Sequence, residues 1–176
     1  MAIPSSTVDS IARRTALVEE HVRCENAHDL DGILATFGGN ARYDDEPWHE
    51  HHEGRDGVRS FYRTLIGAMP DLSVESVRRH VAGETLVLEV IVRGTQIGAW
   101  RGLPATGRKL EIPICGIYTF DANDKLAGER IYYDRATVLR QLGVFHEPQT
   151  VLGAILLLFT HPWTIAKALA RKLSGK

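Results

Sequence analysis

Cysteine is scarce: the 176-residue chain has two, Cys24 and Cys115, far apart and without a CxxC spacing. That excludes a disulfide framework and a zinc knuckle, and it fits reduced, buried thiols in a cytoplasmic protein. A charge excess of either sign is missing as well. Twenty-one Lys and Arg stand against 22 Asp and Glu, a net charge of −1, so the basic surplus of a dedicated nucleic-acid binder is absent. No apolar run approaches the roughly 20 residues of a membrane span. The opening stretch MAIPSSTVDS lacks the basic and apolar regions of a secretory signal. Neither internal repeats nor low-complexity tracts occur.

What is present is an ordinary globular composition, 44% hydrophobic and 24% charged. The length suits one domain, burying ~70% of its unfolded-chain surface. Its charge is unevenly distributed. Residues 1–147 hold all 22 acids and 17 Lys and Arg, a sum of −5, whereas the last 29 residues carry Lys167, Arg171, Lys172 and Lys176 and no acid, a sum of +4. A mildly acidic domain over residues 7–146 is therefore followed by a basic, apolar tail over 147–176.

After a polar lead, a helix is expected to start near Thr7–Ser10, with Ile11, Thr15, Val18 and Val22 at helical spacing. Glu25 and Asn26 interrupt that apolar face, as a helix break or as a site. Apolar spacing resumes at Leu30, Ile33, Leu34 and Phe37 and stops at Gly38-Gly39. Ala41–Glu53 reads as an irregular strand and loop. A second helix carries Val58, Phe61, Tyr62, Leu65 and Met69 on one face until Pro70-Asp71 stops it. The period then becomes two: Leu86, Leu88, Val90 and Val92 alternate with more polar neighbours, followed by strands at Leu110–Phe120 and Leu126–Asp134. Helices first and an antiparallel meander afterwards define an α+β class. One curved sheet with helices on one face would enclose a cavity.

Three constellations could carry chemistry. In Trp48-His49-Glu50-His51-His52-Glu53, alternation would place His49 and His51 on one strand face. The readings are a solvated loop, a proton-transferring histidine (His49 foremost) or a metal site, the last without the HExxH spacing. In Tyr132-Tyr133-Asp134, an inward Asp134 would share a face with Tyr132 and Arg130, and an apolar cavity would raise its pKa toward general acid/base work. Equally, Asp134 could cap a helix over Arg135–Leu142 by accepting from amides two or three residues on. The glycines of Gly94–Gly107 match neither GxGxxG nor a P-loop and indicate tight turns. No GxSxG is present, and neither cysteine shows a sign of activation.

The runs GTQIGAWRGLPATGRKLEI (94–112), GIYTFDANDKLAGERIYYDRATVLRQLG (116–143) and GRDGVRSFYRTLIGAMPDL (54–72) together resemble the SnoaL-like polyketide cyclase and ester cyclase family of the nuclear transport factor 2-like superfamily. The resemblance implies a cone-shaped α+β barrel, a curved antiparallel sheet wrapped around N-terminal helices, commonly as a homodimer. It also implies cofactor-free aldol-type cyclisation, isomerisation or hydration of a hydrophobic carbonyl compound, with Asp134 as the acid/base. His49 and Gln96 would position or polarise the substrate oxygen. Trp48, Trp100, Tyr118 and Tyr132 would line the pocket, with Asn26 and Tyr62 as further substrate-binding candidates. No metal or nucleic acid is expected. Gln96 stands where the family has histidine, and glutamine cannot relay a proton near neutral pH; the alternative is therefore a non-catalytic hydrophobic-ligand-binding or scaffolding module of the same fold.

In the tail, Val151–Phe159 is apolar but too short to span a membrane, and His161-Pro162 breaks it. Trp163, Ala166, Leu169, Ala170 and Leu173 then form an apolar face opposite Lys167 and Arg171. Packing on protein, peripheral contact with a membrane and a disordered end all fit this pattern.

Overall fold

The structure, a computed structural model, describes residues 5–175. The polar lead before Ser5 lies outside them, as does the Thr7 side chain. Helix α1 (Ser5–Asn26) packs against α2 (Leu30–Thr36), followed by β1 (Arg42–Asp45), a single tight turn and β2 (Glu50–Glu53). Then come α3 (Gly54–Ala68), β3 (Ser73–Ala82), β4 (Thr85–Thr95), β5 (Lys109–Phe120), β6 (Leu126–Tyr132), α4 (Arg135–Gln141), α5 (Val151–Thr160) and α6 (Pro162–Leu173). The six strands form one sheet in the order β2-β1-β6-β5-β4-β3.

Helix α1 does not break at Glu25. It runs on through Asn26, so His21 and Glu25, one turn apart, face inward beside the buried Val18 and Val22. Ser10 lies inside the helix and its hydroxyl donates to Asp124 (3.3 Å) rather than capping. Asn26 closes the other end: its Nδ2 donates to the Val74 carbonyl (2.9 Å) and its Oδ1 accepts from the Val74 amide (2.7 Å). Both of its polar ends thus tie α1 to β3.

The sheet departs from the expected meander in two ways. Ser73–Ala82, read as no element, is a ten-residue edge strand whose side chains are almost all exposed. Without a buried face it shows no alternation to read. Ala41–Glu53 resolves into the hairpin of β1 and β2, and β1 pairs parallel to β6, with Tyr43 beside Glu129 and Asp45 beside Ile131. All other junctions are antiparallel.

Alternation places Leu86, Leu88 and Val90 of β4 and Leu110, Ile112 and Tyr118 of β5 in the core, under Phe61 and Tyr62 of α3. Each such side chain contributes roughly 1.5–3 kcal/mol when fully buried. Gly116 faces the same side: a Cβ there would lie 3.1 Å from the Tyr118 ring and 3.2 Å from its hydroxyl, so glycine lets the phenol fold back over the strand. Helix α4 closes one end, with Val138 and Leu142 against Trp100, Leu110 and Ile112. Of α5 and α6, only Gly153 is buried. It faces the Glu147 carbonyl so closely that no side chain fits.

Candidate functional site

The inward faces of β1 and β6 meet across their parallel junction. Tyr43, Asp45, Glu129 and Ile131 all point to the interior, followed by Tyr133 just beyond β6. With Phe61, Leu65 and Met69 of α3, Val90 and Val92 of β4 and Ile112 and Ile114 of β5, they wall a cavity of about 60 Å³. That is room for roughly four to six waters. Its lining is mainly apolar, and its polar groups fall into two sets.

The first set centres on Asp45, whose residue surface is 1% exposed. Its Oδ2 accepts from the Tyr133 hydroxyl (3.0 Å) and from the Arg101 guanidinium. Oδ1 is buried with no hydrogen-bond partner among the described residues. Burial pushes the Asp45 pKa up to about 6, against the opposing pull of Arg101 and the Tyr133 bond. Arg101 is itself tightly held. It pairs with Glu50, and its guanidinium carbon lies 4.9 Å from the Trp48 ring centre and 5.4 Å from that of Trp100. Its backbone sits at φ 55°, a left-handed conformation costing a non-glycine residue roughly 1–2 kcal/mol. Local strain therefore accompanies the placement of the Arg101 cation beside Asp45.

The second set is His21, Glu25, Tyr62, Tyr118 and Glu129. The Tyr62 hydroxyl lies 2.8 Å from Glu25 Oε1, 3.0 Å from Glu129 Oε2 and 3.0 Å from His21 Nε2. The Thr36 hydroxyl gives its only proton to the Ile33 carbonyl (2.6 Å), so it accepts from His21 Nδ1 (2.8 Å). His21 therefore carries a proton on Nδ1, and Nε2 faces Tyr62 and the two carboxylates. Burial, reinforced by Glu129, pushes the Glu25 pKa up against the pull of His21. For His21, burial works downward, but Glu25 and Glu129 outweigh it and its pKa rises. His21, Glu25 and Glu129 are also the donors a cation would use. Tyr62's hydroxyl stands within bonding distance of all three, so the group is held together here by shared protons.

Several residues singled out from the sequence lie elsewhere. Asp134 is exposed and caps α4: Oδ1 accepts from the Ala136 amide (2.9 Å), and Oδ2 from the Thr137 amide (3.1 Å) and hydroxyl (2.5 Å). The Thr137 and Ala136 bonds lower its pKa. Neither oxygen is left to face the cavity. Alternation also runs opposite to the expected sense: Arg130 and Tyr132 point outward, and Glu129, Ile131 and Tyr133 inward. Gln96 is fully buried but structural. Its amide nitrogen donates to the Gly98 (2.8 Å) and Pro104 (3.0 Å) carbonyls, and its oxygen accepts from the Thr106 amide (2.8 Å) and hydroxyl (2.5 Å). Asn26 is occupied with Val74, as above. His49 is exposed in the turn after Trp48 at φ 54°, and His51 turns outward to Asp44 (2.7 Å). His52, pushed down in pKa by burial, leans on Phe61, so the three histidines do not converge. Trp48 lies under Arg101 and Arg135 rather than in the cavity wall. Trp100 and Tyr118 do line the cavity, and Tyr62 stands behind its acidic end.

Residues 18–129 match the SnoaL-like domain. The chain belongs to the SnoaL-like family. The fold recurs in AclR from Streptomyces galilaeus, a proposed hydroxylase, at 23% identity and a TM-score of 0.68 over 81% of this chain and 93% of that one. It recurs in SalBIII, an epoxide hydrolase/cyclase-like enzyme of pyran ring formation in the polyether salinomycin (21% identity, TM-score 0.61, 70% of this chain and 92% of that one). A protein from Catenulispora acidiphila with a ketosteroid isomerase-like fold matches at 16% identity and a TM-score of 0.63 over 73% of this chain and 93% of that one. This chain places its inward carboxylates on α1, β1 and β6. Of the site's residues, the sequence marks Glu25 as a helix break or a site, and gives no role to Asp45, Arg101, Glu129 or Tyr133.

Proposed function

We propose that this SnoaL-like protein is an enzyme that performs acid/base chemistry on a small apolar carbonyl compound, with Asp45 as the base. The observation that carries this reading is Asp45 Oδ1, a buried carboxylate oxygen without a hydrogen-bond partner among the described residues, on a group whose pKa burial raises to about 6. Such a carboxylate is largely ionised at neutral pH yet more basic than an ordinary aspartate. Tyr133 and Arg101 hold Oδ2 and so orient Oδ1. In this reading Oδ1 removes a proton alpha to the carbonyl. The enolate oxygen that forms is met at the other end of the cavity by Glu25, whose pKa of about 7 leaves its acid form well populated at neutral pH, and by Tyr118. Aldol-type ring closure and double-bond isomerisation share this first step. The apolar lining selects an apolar skeleton, and the chemistry needs only side chains that are present.

Related folds host different reactions, so the assignment rests on the site and not on the neighbours' names. The test is exchange of the alpha protons of a panel of 1,3-dicarbonyl compounds in deuterated water, followed by proton NMR. Wild-type protein is expected to accelerate exchange, and Asp45→Asn to lose that acceleration by roughly 10²–10⁴-fold. Equal rates with both proteins overturn the role of Asp45. A compound that binds in the cavity without exchange would make the protein a ligand carrier instead.

A further inference from the structure

We propose that α5 and α6 form a wedge that enters an anionic lipid surface and leaves it on the same side. Helix α5 (Val151–Thr160) has no charged residue, and Leu152, Ile155, Leu158 and Phe159 are 51%, 46%, 55% and 80% exposed. A helix that is apolar all round is stable only when surrounded by something other than water, and in this one only Gly153 is buried and Leu157 half-buried. Helix α6 is amphipathic: Trp163, Leu169 and Leu173 are 79%, 54% and 88% exposed, with Lys167, Arg171 and Lys172 among them.

The geometry determines how such a pair meets a bilayer. At 1.5 Å per residue the arms are about 15 Å and about 18 Å long. Their axes turn through 103° at His161-Pro162, which leaves about 21 Å from end to end. The hydrocarbon core is about 30 Å thick. The pair has the length and composition of a broken span, but at this bend it falls short of the core, and no single helix among the described residues is long and apolar enough to cross. A bent pair of this size enters to its apex and returns.

The residues are ordered to suit that path. Phe159 and Trp163 flank the apex and are among the most exposed large apolar side chains of the protein. Apolar rings this exposed at the apex are what the wedge would carry deepest, burying them out of water. The basic residues lie beyond the apex, where α6 would rise back to headgroup level. No acid follows Glu147 in the sequence, and Glu147 is itself paired with Arg140. The sum of +4 over the last 29 residues therefore has no acidic partner within the tail. A second copy offering the same tail would bring like charges together, whereas anionic headgroups neutralise them. An anionic bilayer is the occupant that satisfies both the apolar surface and the charge.

Full-length protein is incubated with sucrose-loaded vesicles of phosphatidylcholine alone or with about one-third phosphatidylglycerol, then sedimented. Protein is expected to follow the anionic vesicles, and added salt is expected to release it. Neutralising Lys167, Arg171 and Lys172 to Gln should weaken binding roughly fivefold per residue. The double variant Phe159→Glu/Trp163→Glu should abolish binding. These side chains are exposed, so the domain's unfolding midpoint serves as the folding control. Failure of the wild type to follow anionic vesicles overturns the proposal. So does equal binding by the double variant. A lipid-free dimer that Phe159→Glu dissolves, with no vesicle binding, would assign the surface to a second copy instead.

Discussion

Replacing Asp45 with Asn should make the protein more stable at neutral pH than the wild type, relative to the same comparison in acid. Asp45 titrates near 6 in the fold against 3.8 in an ordinary aspartate. That gap corresponds to roughly 3 kcal/mol. The sign follows from proton uptake. Between those two values the native state binds the proton more readily than the unfolded chain, so wild-type stability falls as pH rises through the interval. Below 3.8 the protonated Asp45 and an asparagine are alike in charge, and above 6 the wild type carries a desolvated carboxylate that the variant lacks. The variant's advantage should thus grow by roughly 2.5 kcal/mol from about pH 4 to about pH 7.5. Arg101 keeps Glu50 as a partner in the variant. Urea denaturation of both proteins across that range measures the difference, and other titrating groups cancel in it. Parallel stability curves would refute the claim that Asp45 is held basic by burial. A wild-type advantage that grows with pH would show that Arg101 outweighs desolvation, and Asp45 would then be too weak a base for its proposed role.

Other expectations are simpler. Tyr62→Phe removes the hydroxyl shared by Glu25, Glu129 and His21 while keeping the ring against Tyr43 and Phe61. It should cost roughly 1–3 kcal/mol in urea denaturation, and no loss would mean that the cluster is solvated. Gln96→Ala unpairs Thr106 and the Gly98 and Pro104 carbonyls. It should destabilise by roughly 1–3 kcal/mol and speed hydrogen exchange at the Thr106 amide without changing alpha-proton exchange of a substrate. Asp134→Ala should cost about 0.5–2 kcal/mol as a lost helix cap and leave that exchange intact. A tenfold fall in exchange would return Asp134 to the acid/base role.

Much of the fold could be read from periodicity because burial and side-chain alternation coincide in β4 and β5. It could not be read in β3, where both faces are wet, nor in β1, whose four residues are too few to set a period. The site was harder to read. Asp134 sits at a strand end before a helix, which gives capping and catalysis the same local pattern, and only the Thr137 and Ala136 bonds separate them. Glu25 was visible as a break in an apolar face, yet its partners Tyr62 and Glu129 lie 37 and 104 positions further along the chain. The inward sense of β6 depended on a single-residue phase. Counting back from Asp134 chose the wrong phase, whereas counting from the buried Leu126 would also have failed, because the pairing shifts between Thr119 and Phe120.

The parallel seam between β1 and β6 also has a kinetic meaning. Asp45 and Glu25 are made early in synthesis, while Glu129 and Tyr133 come some 80 or more residues later. Until β6 emerges, β1 has only its hairpin partner, and Asp45 has neither its neighbouring strand nor Tyr133. Contacts of such long separation form slowly. A ribosome-bound chain ending before Leu126 would therefore expose the future cavity wall as an apolar surface with an unpaired edge, the form most prone to misassociation.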